Sequence, residues 1–160
     1  TYLRLNTDTQ QHAYILKENE KSAPKDLIAA FNSGNQLQDI FTRNFKVGST
    51  GNEVLKLSRK QAIEQGLKPS IYTHPIGFHG HAAGTTLGMW DSQQGVTGSG
   101  DYPLHFNTVY SIELNNAVFL KSWDKEIRIM LEEEAFFDKN GVRYIDGRQT
   151  QLHLISSHNN

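Results

Sequence analysis

The sequence contains no cysteine among its 160 residues, and this absence removes several chemistries at once. Without thiols there can be no disulfide, no thiolate metal ligand and no cysteine nucleophile, so a metal ion would have to be held by histidine and carboxylate side chains. The sequence also lacks the Gly-x-Ser-x-Gly elbow of many hydrolases and the Gly-x-x-x-x-Gly-Lys pattern of phosphate-binding loops.

The sequence also has no large excess of charge of either sign and no long apolar run. Lysine and arginine number 16 against 17 aspartates and glutamates, which gives a net charge of -1. Such a balance creates no long-range field that would attract nucleic acid or an anionic membrane. No run approaches the roughly 20 apolar residues that cross a bilayer. We therefore predict neither nucleic acid nor a membrane as a partner.

The length and composition are those of one folded domain, which we take as residues 1–160. Hydrophobic residues make up 37% of the chain and charged residues 21%, as in ordinary globular proteins. The chain begins at Thr1 without an initiator methionine and enters the alternating pattern of a strand at residues 2–5. We therefore expect that it is a piece of a longer protein, truncated at its N-terminal side.

Two helices are predicted in the first half of the chain. Ser22 can cap the first helix with Pro24 in its first turn, and apolar residues recur at helical spacing from Leu27 to Phe45, Ile28 among them. Gly34 is expected to weaken or bend this helix. The second helix should run over residues 51–65, begin with the capping-box pair Thr50 and Glu53 and end at Gly66, with Val54, Leu57 and Ala62 on its inner face.

The rest of the chain reads mostly as strands. Besides residues 2–5, the apolar stretches that predict strands are 11–16, 108–114, 117–120, 127–132, 135–137 and 151–155. Residues 138–141 predict a turn between two of them. A sheet with two helices packed on it is the α+β pattern.

Three of the seven histidines, His74, His79 and His81, lie within residues 72–81. This stretch is polar and contains glycine, so burial of apolar area does not explain the cluster, and chemistry is the better interpretation. The glycine-rich residues 82–103 that follow are too long for a simple connection. Within them, Trp90 either faces a ligand or packs its indole against the core.

Carboxylates interrupt two of the apolar strands. Glu113 lies inside residues 108–114, and residues 132–134 are three consecutive glutamates. Buried carboxylates are costly unless they are paired with a cation or bind a metal. Strand alternation sends Glu132 and Glu134 to one side and Glu133 to the other, so the three cannot share one environment.

Asp8, a histidine from the cluster, Glu113 and one of the three glutamates would together form an oxygen-rich site with one imidazole. This donor set suits Mn, Zn, Fe or Co, and the surplus of carboxylates indicates two ions with bridging ligands. Two metal ions would indicate a hydrolase. Taken alone, Asp8 is better explained by an Asx turn or a local cap.

The order of these residues resembles the C-terminal part of the pita-bread metallopeptidases, which include methionine aminopeptidase, aminopeptidase P, prolidase and creatinase. His74-Pro75-Ile76-Gly77 and His81 are similar in spacing to the family's His-Gly-x-Gly motif and its second histidine. Residues 104–113 resemble the strand with the family's Glu-Pro ligand, although Leu114 replaces the proline. Bacterial Xaa-Pro aminopeptidases look most similar. The resemblance implies an α+β pita-bread fold, C-terminal portion, with a curved antiparallel sheet and helices on one face.

The metal ligands that the resemblance implies are Asp8, His74, Glu113 and Glu132, and a further aspartate would lie upstream of Thr1. Two divalent ions, Mn, Zn or Co, would share a bridging hydroxide, with Glu113 as its general base and acid. Glu132 is placed by counting back from the last hairpin, and a slip of one residue would select its neighbour instead. Without the upstream aspartate, we expect this chain to bind at most one ion well and to have little activity.

The resemblance implies that His81 is a substrate-binding residue, which would hydrogen-bond the scissile amide. His79 has no counterpart in the family, and His79 and Trp90 are candidate substrate contacts from their positions in the sequence alone. The implied function is a metal-dependent aminopeptidase that releases the residue before proline from a peptide. Ala82-Ala83 replace an acidic residue of the family, which affects substrate preference. Two alternatives are an inactive pita-bread module that binds peptide or protein and a creatinase-like amidinohydrolase. Surfaces that a missing N-terminal half would cover leave open a homodimer.

Overall fold

Two long antiparallel strands form the centre of the fold. The structure, a computed structural model, describes residues 6–157, so the strand predicted over residues 2–5 lies outside the described residues. Strand β5 (Thr108–Leu120) pairs with β6 (Lys125–Asp138) along its whole length, from Thr108 opposite Phe137 to Leu120 opposite Lys125. The sequence predicted two shorter strands in each of these regions. Polar residues within β5 do not interrupt the strand because their side chains have hydrogen-bond partners. The Asn116 side chain, for example, accepts a hydrogen bond from the Lys68 amide at 2.7 Å.

Shorter strands extend this sheet on both sides. The strands β2 (Pro69–Ile71) and β3 (His74–Gly77) both pair with β5, and β4 (Gly80–His81) forms a hairpin with β3. On the other side β7 (Gly141–Tyr144), which the sequence did not predict, pairs with β6 through the predicted turn at residues 138–141. All these pairs are antiparallel. The strand order is β4-β3-β5-β6-β7, with β2 beside β5.

A second sheet has two strands and shares no strand with the first. It consists of β1 (Ala13–Ile15) and β8 (His153–Ile155), which are parallel. Both strands are shorter than the stretches 11–16 and 151–155 that predicted them. The Leu16 amide continues the pairing with a hydrogen bond of 2.8 Å to the Ile155 carbonyl.

Helix α1 (Lys25–Arg43) packs against β5 and β6. The predicted cap at Ser22 is wrong, because Pro24 has an extended backbone and itself occupies the capping position. Ile28 is 39% exposed and does not belong to the inner face. The helix runs through Gly34 without interruption: a side-chain carbon there would lie 2.7 Å from Ile129 Cγ2, so this glycine allows the close approach of α1 to β6.

Helix α2 (Gly51–Glu64) begins as predicted. The Glu53 amide donates to Thr50 Oγ1 at 3.1 Å and the Thr50 amide donates to Glu53 Oε2 at 2.8 Å, which is a complete capping box. Gly66 has a φ of 80°, as expected of a left-handed helix stop. The prediction for Leu57 is wrong, since it is 46% exposed and the buried face contains Ser58 instead. Ser58 is tolerated there because its hydroxyl accepts a hydrogen bond from Asn44.

The two helices contact each other as well as the sheet, and the main hydrophobic core lies between these layers. The largest buried side chains there include Phe31 and Phe41 of α1 and Tyr110 of β5. No helix in residues 6–157 is long and apolar enough to cross a membrane. The α+β prediction of an antiparallel sheet with helices packed on it is confirmed.

Candidate metal centre

His74 is held rigidly at the start of β3. It stands opposite Ser111 of β5, and the residue before it, Thr73, donates its hydroxyl to the Glu113 carbonyl at 3.1 Å. The His74 side chain is only 4% exposed. A histidine in this position therefore has few conformations available to it.

One nitrogen of His74 has a partner and the other has none. Nδ1 lies 3.1 Å from the Pro75 carbonyl oxygen, to which it donates when it carries the proton. Nε2 is buried without a hydrogen-bond partner. Burial lowers the pKa of His74 below that of a free histidine, which favours the neutral ring. A neutral ring with its proton on Nδ1 has a lone pair on Nε2, the form that binds metal ions.

Three carboxylates surround this nitrogen. His74 Nε2 lies 3.8 Å from Asp8 Oδ2, 3.9 Å from Glu113 Oε2 and 3.9 Å from Glu132 Oε1. These distances are too long for hydrogen bonds. They are close to the separation, roughly 3 to 4 Å, of two donor atoms that each lie about 2.1 Å from one shared ion. The donor set and its spacing therefore fit a divalent cation.

The strand pairing determines which glutamates meet. Glu113 of β5 stands directly opposite Glu132 of β6. Glu132 is 2% exposed and accepts hydrogen bonds from Ser111 Oγ at 2.8 Å and Gln10 Nε2 at 2.5 Å. Asp8 reaches the same place because its carbonyl accepts a hydrogen bond from Ser111 at 3.3 Å.

The other two glutamates of the triplet have different neighbours, as alternation requires. Glu133 is buried on the opposite side of the sheet, where it accepts hydrogen bonds from Gln38 Nε2 at 2.8 Å and from the Gln149 amide. Glu134 accepts a hydrogen bond from the Asp8 amide. Of the three, only Glu132 belongs to a group of converging ligand atoms in the described part of the chain.

The carboxylates raise one another's pKa. Burial, together with the negative charges of Glu132 and Asp8, raises the pKa of Glu113 to about 7. Burial also raises the pKa of Glu132, and the charge of Asp8 adds to this effect, while the hydrogen bonds from Ser111 and Gln10 oppose it. A cation among these groups would relieve both the desolvation and the repulsion.

The remaining histidines of the cluster differ in position. The His81 ring stacks on His74 with 3.7 Å between ring centroids, and its Nε2 lies 4.0 Å from Asp8 Oδ2. His79 lies at the exposed turn between β3 and β4, edge-on to Phe78, and within residues 6–157 it belongs to neither group of converging ligand atoms. The structure therefore brings His81, and not His79, to the candidate centre.

A small cavity adjoins the centre. Its volume is about 140 Å³, and its lining includes Glu113, Tyr72, Arg128 and Trp90. Trp90 is 74% exposed, so the interpretation that packs its indole in the core is wrong. The sequence interpretation missed the four residues Gln10, Tyr72, Ser111 and Arg128. Strand alternation could have identified two of them. Gln10 lies two positions after Asp8 and Ser111 two positions before Glu113, so each is expected on the same face of the strand as its partner.

No protein-family model and no curated protein matches this sequence. Solved structures do match. An X-Pro aminopeptidase from Thermotoga maritima has a TM-score of 0.70 at 18% identity, over 97% of this chain and 39% of that chain. An Xaa-Pro dipeptidase from Bacillus anthracis has a TM-score of 0.66 at 18% identity, over 96% and 39%. The N-terminal domain of the FACT complex subunit SPT16 from Eremothecium gossypii has a TM-score of 0.67 at 10% identity, over 97% and 34%.

These similarities define the fold. The chain has the pita-bread fold of the C-terminal domains of Xaa-Pro aminopeptidases and prolidases, as predicted. It spans about two fifths of the length of the two peptidase structures. Because the same fold occurs in peptidases and in a FACT complex subunit, the fold by itself does not determine activity.

The acidic centre predicts a pH dependence of the metal-free protein. The Glu113 pKa is raised to about 7 from an ordinary value of 4.5, so stability gained from its protonated form is complete below 4.5 and is lost as the pH rises through about 7. Glu113→Gln keeps a neutral side chain at every pH. We expect the free energy of unfolding of this variant, relative to that of wild type, to rise by on the order of 1 to 3 kcal/mol when the buffer changes from acidic to mildly alkaline. Urea unfolding with a chelator present measures it.

Glu64→Gln is the matched control, because Glu64 is an exposed residue of α2 and its side chain is 62% accessible. It should follow the wild-type pH dependence. Parallel pH profiles for wild type and Glu113→Gln would contradict the placement of Glu113 in a desolvated acidic group.

Proposed function

We propose that the protein is a metal-dependent aminopeptidase that releases the N-terminal residue from Xaa-Pro peptides. One observation carries the proposal: carboxylates from distant parts of the sequence surround the unpartnered Nε2 of His74 at 3.8 to 3.9 Å. The fold similarity to an X-Pro aminopeptidase and an Xaa-Pro dipeptidase supports the substrate class.

Asp8, His74, Glu113 and Glu132 would hold the metal. Their mixture of oxygen donors and one imidazole suits Mn, Zn or Co. A divalent ion in such a site supplies Lewis-acid polarisation of a peptide carbonyl and acidification of water. The complete enzyme would use two ions, and the four residues assigned here would supply one imidazole nitrogen and three carboxylates.

Glu113 is the residue we assign to proton transfer. It is 25% exposed at the side chain and lines the cavity, whereas Glu132 is 2% exposed and accepts hydrogen bonds from Ser111 and Gln10. Its position on the cavity wall would let a Glu113 carboxylate oxygen accept a proton from water and return it to the departing amine.

Trp90 and Tyr72 are the residues we assign to the substrate's side chains. Both line the cavity that Glu113 borders, and aromatic faces pack well against the ring of proline. His79 remains a predicted peptide contact, at the exposed turn of the β3–β4 hairpin.

A second candidate function is a module that binds a peptide or protein without hydrolysis. The similarity to the N-terminal domain of a FACT complex subunit, with a TM-score of 0.67, favours this candidate. Metal affinity separates the two functions, because a binding module has no need to retain converging metal ligands.

The direct test is peptide hydrolysis by a full-length preparation supplied with Mn²⁺, Co²⁺ or Zn²⁺. We expect release of the residue before proline, and we expect Glu113→Gln to lower kcat by at least about 100-fold because it removes the proton acceptor. Glu64→Gln should leave kcat unchanged. Absence of hydrolysis with all three metals would refute the proposal, absence of metal binding in addition would favour the binding module, and turnover of creatine would indicate an amidinohydrolase.

Trp90→Ala should raise KM for Xaa-Pro peptides by roughly 3- to 10-fold and leave kcat nearly unchanged, because the indole would contact bound peptide without taking part in the chemistry. Trp123→Ala is the matched control, since Trp123 is also solvent-accessible, at 44%, but lies in the turn between β5 and β6. If both variants have wild-type KM values, Trp90 does not contact the substrate.

A further inference from the structure

We propose that Gln149 is a positioning residue for the metal centre: its side chain holds the segment that carries Asp8 against the strand that carries Glu132. Gln149 is 6% exposed and is not one of the candidate ligands. The inference rests on the metal-binding part of the proposed function, but not on peptide hydrolysis.

The edge of β6 changes its pairing partner beside Glu132. As far as Glu134 this edge pairs with β7 and its continuation, since the Ile145 amide donates to the Glu134 carbonyl at 3.0 Å. At Glu132 the edge pairs instead with Gln10, through hydrogen bonds of 2.9 Å and 3.2 Å between the two backbones. In the described part of the chain, this bridge is the only backbone pairing that joins the Asp8 segment to β6. One bridge leaves the segment free to pivot, so a further contact is needed to fix Asp8.

Gln149 supplies that contact at His12, two positions after the bridge. The His12 amide donates to Gln149 Oε1 at 2.7 Å, and Gln149 Nε2 donates to the His12 carbonyl at 2.6 Å. A primary amide has both a donor and an acceptor, so it can pair with the backbone of one residue as a neighbouring strand would. The Gln149 side chain thus takes the place of a strand residue where the backbone pairing stops.

Gln149 is also anchored to β6. Its backbone amide donates to Glu133 Oε1, and Glu133 is only 3% exposed. The other oxygen of this carboxylate accepts a hydrogen bond of 2.8 Å from Gln38 Nε2 of α1. Glu133 adjoins Glu132, so Gln149 connects β6 beside one ligand to the backbone four positions after Asp8. The spacing of these two ligands therefore depends on the backbone bridge and on the Gln149 side chain together.

A second amide side chain makes the same double contact in another part of the fold. Asn52 of α2 accepts a hydrogen bond of 2.7 Å from the Val96 amide and donates one of 3.1 Å to the Val96 carbonyl. Val96 belongs to the glycine-rich residues 82–103, and none of the four candidate ligands lies in that stretch or on α2. Asn52→Leu is therefore the matched control, because it removes an equivalent pair of hydrogen bonds away from the ligands.

The first test is calorimetric titration of this chain with Zn²⁺. Gln149→Met keeps the length of the side chain and removes both hydrogen bonds, and we expect it to weaken Zn²⁺ binding by at least about tenfold. Asn52→Leu should lower the melting temperature as well, but should change Zn²⁺ affinity by less than about threefold. Equal effects of the two variants on Zn²⁺ affinity would overturn the inference, because they would express only a loss of stability. If Gln149→Met does not fold, Gln149→Asn carries the amide on a side chain one carbon shorter and should also bind Zn²⁺ more weakly than wild type, and unchanged binding would overturn the inference.

A double-mutant cycle tests whether Gln149 acts through Asp8. When Asp8→Asn has already removed this ligand, Gln149→Met should weaken Zn²⁺ binding further by less than about threefold. The same fold-change in the wild-type and the Asp8→Asn backgrounds would overturn the positioning role.

Hydrogen exchange of the metal-free chain separates this inference from the proposed function. Gln149→Met should speed exchange of the Gln10 and His12 amides by at least about tenfold, because both lose protection when the segment can pivot. Unchanged exchange at these amides would overturn the inference whether or not the chain binds metal. Faster exchange in the variant together with no Zn²⁺ binding by wild type would overturn the metal site and the proposed function, and would leave only the contact between Gln149 and His12.

Discussion

The candidate metal centre depends on one buried nitrogen, His74 Nε2. The nitrogen lies 3.8 to 3.9 Å from three carboxylate oxygens and has no hydrogen-bond partner. The burial of several ionisable groups costs free energy unless a group of opposite charge lies among them. The raised pKa of Glu113 expresses the same cost. A divalent cation removes it, which is why metal binding is the most economical explanation of the arrangement.

The sheet creates this arrangement before any ion is considered. The full-length pairing of β5 with β6 brings Glu113 and Glu132 face to face, and β3 adds His74 beside them. On the other side of the sheet, Gly34 lets α1 approach β6 closely, which supports the strand that carries Glu132. The candidate centre therefore lies on rigid elements, as accurate placement of metal ligands requires.

The features that the sequence predicted well are local ones. The capping box at Thr50, the turn at residues 138–141 and the alternation of residues 132–134 depend on neighbours within a few positions. The cap predicted at Ser22 failed for a local reason, the backbone of Pro24, whereas the error at Leu57 depended on a tertiary contact. Ser58 replaces Leu57 on the buried face of α2 because Asn44, from another part of the chain, satisfies its hydroxyl. The resemblance selected four residues that the structure brings close together, but the stacking of His81 on His74 depends on a hairpin that the sequence did not reveal.

The most direct test of the central claim is a crystal structure of this chain grown with Zn²⁺, with anomalous diffraction data collected at the zinc absorption edge. We expect an anomalous peak at about 2.1 Å from His74 Nε2, with Asp8 among the ligands. An ordered zinc ion elsewhere, with His74 Nε2 bound to no ion, would contradict it.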